Sequence, residues 1–312
     1  CLIKDDFKEA QKYLNIIQNI PRAKYIYNRA SVILLYKSKK IDDTKKMLIQ
    51  LCEDKPEDIW FHEKLSKLYA VEKDWKRAYH YINKLRSLPD FLRDYAAQLK
   101  VLSGGKPLEA LTLSNNSIMV VNETIKYLLN QPNIKKAAEV IDKSWDKLLY
   151  LDLIKTFMSW KITGEKDILA RYKLISKILK KKINKDLSNE TKLALAYAGS
   201  AASIWGESQN YLDKIKREDW DERMIEVFES ISKEIKGTKI LEPEKLSKRE
   251  PKWTCRGCRY NDSSWYLICP NCKSINTILW PKSKIKEQKS PEFLNEFLKN
   301  PLRHLPKMKG EN

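Results

Sequence analysis

Four of the six cysteines lie in one stretch, WTCRGCRYNDSSWYLICPNCKSINTILW (253–280), as two C-x-x-C pairs ten residues apart. Two residues between thiols let a tight backbone turn aim both sulfurs at one ion. Two such turns complete a tetrahedral site, so Cys255, Cys258, Cys269 and Cys272 are the expected ligands of a Zn²⁺, at about 2.3 Å per bond. Iron is the rival ion, because such turns accept either metal and the sequence does not choose. Four thiolates leave no position for water or substrate, which makes the site structural rather than catalytic. Gly257 eases the first turn and Pro270 stiffens the second. The position after each pair, where glycine is common, holds Arg259 or Lys273. Disulfides are the poorer reading, since 312 residues carry only six cysteines. A thioredoxin-type dithiol uses a single pair. Cys1 and Cys52 are expected to take no part.

Little else in the chain has the types and spacing for chemistry. The three histidines, His62, His80 and His304, are scattered, and the first two are expected on opposite helices of one repeat. There is no phosphate-cradling glycine loop, no nucleophile elbow and no histidine pair on a helix face. Cys269–Pro270 is a dipeptide seen at some haem-sensing sites, but its place in the metal turn explains it. No cofactor beyond the metal is expected. Trp60 and Trp75, Trp145 and Trp160, Trp205 and Trp220 form pairs expected to fill a helical core. The chain reads as non-enzymatic; a redox protein with iron in the four-thiol site is the strongest enzyme alternative.

A 28-residue module is too small to bury a core, so it should depend on its metal, with Trp253, Trp265, Tyr266 and Trp280 as cover. The rest of the 312 residues, 42% hydrophobic with only eight glycines, points to helices. A repeat appears at a period of 34. FKEAQKYL (7–14), IDDTKKML (41–48) and WKRAYHYI (75–82) align Phe7, Ile41 and Trp75, then small residues Ala10, Thr44 and Ala78, then Leu14, Leu48 and Ile82. The same step recurs in IKKAAEVI (134–141) and WGESQNYL (205–212), and GGKPLEALTL places Ala110 in the small position. WFHEKLSKLYA fits the first helix of a pair. This is the tetratricopeptide pattern, in which small residues allow close helix approach. The expected organisation is all-α: a tetratricopeptide-like α-solenoid over 1–236, a linker over 237–252, a rubredoxin-like Cys₄ zinc ribbon over 253–282 and a polar tail over 283–312. Later helices are predicted over 146–160, 165–183 and 189–203, with a short one in the tail around PEFLNEFLKN before a disordered end. The solenoid is expected to fold without the ribbon.

The formal charge of +19 invites a nucleic-acid reading. In and beside the ribbon, Lys252, Arg256, Arg259, Lys273, Lys282, Lys284 and Lys286 face one acid, Asp262. Lysine pervades the whole chain, however, and in YKLISKILKKKINK it coats a helix face; nucleic acid is the weaker reading, and an anionic membrane surface is at least as good a neighbour. No stretch approaches the roughly 18 apolar residues of a membrane span, so the chain as given is expected to be soluble. Its start at Cys1 reads as a cropped chain lacking an upstream segment, with a lipid-modified cysteine as the lesser alternative. Reduced thiolates favour the cytosol.

Helical repeats followed by a linker and a two-turn Cys₄ ribbon is an uncommon order, and it resembles the HemY family of bacterial inner-membrane proteins. The residues that carry the likeness are LALAYAGSAASIWGESQNYLDKI (193–215), AAEVIDKSW (137–145), and WTCRGC, CPNC and TILW in the ribbon. The resemblance implies an N-terminal membrane anchor, absent here, that holds the repeats at the cytoplasmic face. It also implies an association with haem biosynthesis without catalysis, through protein partners in the helical groove. The chain is also similar to the LapB-like proteins of lipopolysaccharide assembly, which join such repeats to a rubredoxin-type module but usually show a glycine where Arg259 stands. The oligomeric state is left open.

Overall fold

The computed structural model describes residue 2 and residues 6–183, 188–235 and 248–285. The described residues fall into two compact units, the first ending at Arg93 and the second beginning at Asp94. The tail helix expected around PEFLNEFLKN and most of the expected linker lie outside the described residues. Among the described residues, no helix is long and apolar enough to cross a membrane.

The first unit contains α1 (Phe7–Ile17), α2 (Lys24–Lys37), α3 (Ile41–Asp54), α4 (Ile59–Val71) and α5 (Trp75–Asn83), each packed on the next. Helices α1, α3 and α5 begin at Phe7, Ile41 and Trp75, at the period of 34 read from the sequence. Two of the starts, those of α1 and α5, are fixed locally: Asp6 and Asp74 accept the backbone N–H of Glu9 and Arg77, satisfying donors that a helix start leaves open. The fourth residue of each, Ala10, Thr44 and Ala78, is buried, as is the eighth, Leu14, Leu48 and Ile82. Lack of side-chain bulk there lets neighbours close in. Ser66 on α4 can therefore donate its hydroxyl to the Ala78 carbonyl on α5 at 2.7 Å.

The turns before α3 and α5 are also alike. Lys39 and Lys73 take left-handed conformations (φ 59° and 61°). Just after them, Lys40 N–H bonds the Leu35 carbonyl and Asp74 N–H the Tyr69 carbonyl, both at 3.0 Å. This six-residue closure satisfies carbonyls that the ending helix leaves open. In the second unit the same closure runs from Gly105 to Lys100 (2.9 Å) and from Ile204 to Gly199 (2.8 Å). The left-handed residues there are Gly104 and Ser203. Of these four turns only the one at Gly104 has the residue type that a positive φ favours.

Helix α6 (Asp90–Leu102) is followed in the second unit by α7 (Pro107–Leu113), α8 (Ile118–Asn130), α9 (Ile134–Leu148), α10 (Leu151–Ser159), α11 (Glu165–Ile183), α12 (Asn189–Ala201), α13 (Trp205–Asp213) and α14 (Glu222–Ser232). Small buried residues again stand fourth in α7, α9 and α13, at Ala110, Ala137 and Ser208. Helices α12 and α13 approach so closely that a Cβ on Gly199 would lie 3.2 Å from that of Ser208. Trp145 and Trp220 are fully buried, and their indole N–H groups reach Thr191 Oγ1 (2.9 Å) and the Ile215 carbonyl (3.0 Å). The helices predicted over 165–183 and 189–203 correspond to α11 and α12. That over 146–160 is broken in two: residues 146–148 end α9, the chain turns at Leu149 (φ 43°), and the rest forms α10 from Leu151 to Ser159.

Candidate metal centre

Three short strands frame the C-terminal cysteines: β1 (Trp253–Cys255), β2 (Asn261–Asp262) and β3 (Ile278–Leu279), antiparallel in the order β2-β1-β3. β1 delivers Cys255 into the first cysteine turn. The second turn is pinched by the bridge between Ile268 and Ile275. The two turns are built alike. In the first, Arg259 N–H donates to the Cys255 carbonyl (2.9 Å) and Cys255 N–H to Tyr260 (2.8 Å); in the second, Lys273 donates to Cys269 (3.0 Å) and Cys269 to Ser274 (2.9 Å). Arg259 and Lys273 take φ 62° and 59°, the left-handed conformation for which glycine is common at this position. Gly257 has no positive φ, and a Cβ there would meet only ordinary contacts, so it is not required by the turn.

The four sulfurs lie within 4.8 Å of one another. Cys255 and Cys272 are 3.7 Å apart, as are Cys258 and Cys269. A disulfide would need about 2.05 Å. A tetrahedron with metal–sulfur bonds of about 2.3 Å has edges of about 3.8 Å, so the four thiols fit such an ion. Cys255 and Cys269 are buried, Cys258 is half-buried and Cys272 exposed. Burial pushes both buried thiols up, but Cys255 is brought down to about 6 by the Thr277 hydroxyl, 3.3 Å from its sulfur, and by the N–H groups of Cys258 and Gly257. Burial prevails at Cys269, raised to about 11 against the N–H groups of Cys272 and Asn271. Hydroxyls also flank Cys272, whose sulfur lies 3.2 Å from Ser274 Oγ. Donors around a thiolate orient it and temper its charge. Thr277 and Ser274 belong to no motif, and sequence reading missed them.

The module is also docked. Trp253 and Trp280 were expected to cover the module's own small core; instead both also pack against the helices. Tyr150, at the break between α9 and α10, stands edge-on to Trp280 (4.8 Å) and Trp253 (5.3 Å). The Trp280 indole N–H donates to the Leu149 carbonyl at 3.1 Å, and Lys284 N–H to the Lys147 carbonyl at 2.7 Å. These bonds take up carbonyls that the end of α9 would otherwise leave open. Where the sequence suggests a separable module, Trp253, Cys255, Cys269, Ile278 and Trp280 belong to one apolar core with the helices of the second unit. Below Trp280, Arg223 lies 5.8 Å from its ring and pairs bidentately with Glu190 (2.6 and 2.9 Å) and with Asp221 (2.8 Å), all three buried.

His62 and His80 fall on the successive helices α4 and α5, and among the described residues neither joins a group that could hold a metal; His304 lies outside those residues. Cys52 is buried elsewhere, its thiol pushed up to about 12 by burial. Compared with known proteins, the chain matches no protein-family model and no curated protein.

Proposed function

We propose that this chain is a non-enzymatic adaptor of the HemY kind. In this reading a tetratricopeptide-like solenoid grips a protein partner, and a Cys₄ zinc ribbon is clamped onto its second half. The observation that supports it best is the recurrence of one local design, a left-handed turn followed by a helix with a buried small fourth residue. Such stacked pairs build extended surfaces suited to partner binding. The four-thiol cluster adds a closed site: zinc bound by Cys255, Cys258, Cys269 and Cys272 would have no open position for substrate and would supply folding energy rather than catalysis. Iron would serve the same structural purpose. The HemY likeness adds a tether to the cytoplasmic face of the inner membrane and a place in haem biosynthesis; a LapB-like role in lipopolysaccharide assembly would use the same surfaces.

One observation favours a second reading. Arg256, Arg259, Lys273, Lys282 and Lys284 are exposed cations of the module, a footprint that phosphate could use. A single comparison separates the two. Capture from solubilised membranes is measured with the chain and with the charge swap Arg256→Glu/Arg259→Glu, alongside nucleic-acid binding at low and moderate salt. A protein partner retained by the charge swap supports the adaptor. Binding only to nucleic acid, lost with salt and with the swap, overturns it.

A further inference from the structure

Among the described residues of the first unit, one half-buried cation makes no ion pair. Lys64, half-buried on α4, has its Nζ 5.6 Å from the Trp60 ring, and among the described residues no carboxylate or hydrogen-bond acceptor meets it. Arg29 of α2 stands over the same indole at 5.0 Å and over Tyr25 at 4.2 Å. Lys55 adds a third charge, 5.3 Å from Tyr25. The two nearby carboxylates are committed elsewhere. Asp58 caps α4, accepting from the N–H groups of Trp60 (2.9 Å) and Phe61 (3.4 Å), and pairs with Arg29 at 3.4 Å. Glu63 pairs with Lys67 one turn along the helix. Burial, then the like charges of Lys67 and Arg29, hold the Lys64 ammonium below its ordinary range, with Glu63 opposing only in part.

Holding a half-buried ammonium beside an aromatic ring and a fixed guanidinium, with no ion pair of its own, costs stability, and an anion seated against it relieves that cost. The geometry points to a carboxylate-binding subsite in which Lys64 is the contacting cation, Trp60 the floor and buried Arg29 the fixed charge behind, taking an acidic side chain or chain terminus of a peptide partner. This rests on the adaptor reading and gives that partner a chemistry. A carboxylate suits the place better than a nucleic acid does, because the cations converge on one ring instead of running in a row that could follow successive phosphates.

The test is calorimetric titration of the full chain with acetylated Asp/Glu-rich decapeptides, with free or amidated C-termini, and with their Asn/Gln counterparts. The acidic peptides should bind and the neutral ones should not. Lys64→Gln should weaken binding by about tenfold or more, Lys64→Arg should largely restore it, and Lys46→Gln, an exposed lysine on α3, should change it by less than about twofold. Because Lys64→Gln removes a repelled charge, it should melt no lower than the parent, so its loss of binding is not unfolding. Retained binding by the amidated peptide assigns the subsite to acidic side chains; lost binding assigns it to the chain terminus; either supports the proposal. Equal losses at Lys46 and Lys64, no acidic-peptide binding by the parent, or single-stranded nucleic acid as the only ligand lost in Lys64→Gln would overturn it. Membrane-partner capture unchanged in Lys64→Gln sinks the subsite alone. Acidic-peptide binding lost in that variant without any partner capture by the parent sinks the adaptor alone.

Discussion

His62 shows how one buried ring makes stability depend on pH. Its Nδ1 donates to the Tyr81 carbonyl at 2.9 Å, while Nε2 is buried and meets no partner among the described residues. Burial therefore holds its pKa below the ordinary value of 6.5. The unfolded chain then takes up a proton that the folded chain refuses. Stability from this group is intact above pH 6.5 and is lost as pH falls from there through the depressed folded value, with a slope of at most about 1.4 kcal/mol per pH unit. His62→Gln should flatten that slope in urea unfolding measured at successive pH values. At the cysteines, reduced protein should carry one metal per chain by elemental analysis, lost in Cys255→Ser or Cys269→Ser and kept in Cys52→Ser. The four-thiol cluster was legible because spacing alone aims paired thiols. Lys64 was not, because a lysine on a helix looks solvated until the committed carboxylates around it are seen.

Helix by helix, what was legible is what repeats. The starts at Phe7, Ile41 and Trp75 follow from a small residue needed every 34 positions where two helices touch. The turns before the last two are less well suited in sequence: Lys39 and Lys73 hold left-handed backbone that costs a residue with a Cβ about 1 kcal/mol or more. Both side chains are exposed. Lys73→Gly and Lys39→Gly should each raise stability by about 0.5 kcal/mol, the relief of strain exceeding the added chain entropy. Asp74→Ala, by contrast, should cost about 1 kcal/mol through loss of the cap on α5. Both are measured by denaturant unfolding of the full chain. The break at Leu149 escaped because it interrupts an apolar pattern with no Gly or Pro to announce it. Its partner, Trp280, is 131 residues away.

For the whole molecule, that distant pairing decides where stability resides. Trp280→Ala would remove a buried indole and leave the Leu149 carbonyl without its donor, at a cost of about 3 kcal/mol. Stripping metal from the four thiols should loosen the same place. Hydrogen exchange should then quicken at the end of α9 and through Leu149 and Tyr150, while the backbone of α1 to α5 keeps its protection. Unchanged exchange at α9 after chelation would show that the sheet stays docked without metal. The bond between Trp280 and Leu149 also sets an order of events on the ribosome. Residues up to Arg93 can close their helical pairs soon after they emerge, since their contacts are local. Helix α9 keeps open carbonyls at its end until Trp280 and Lys284 have been translated. Completion of the second half therefore waits on synthesis of residues 253–285 and on any ion that the four thiols bind.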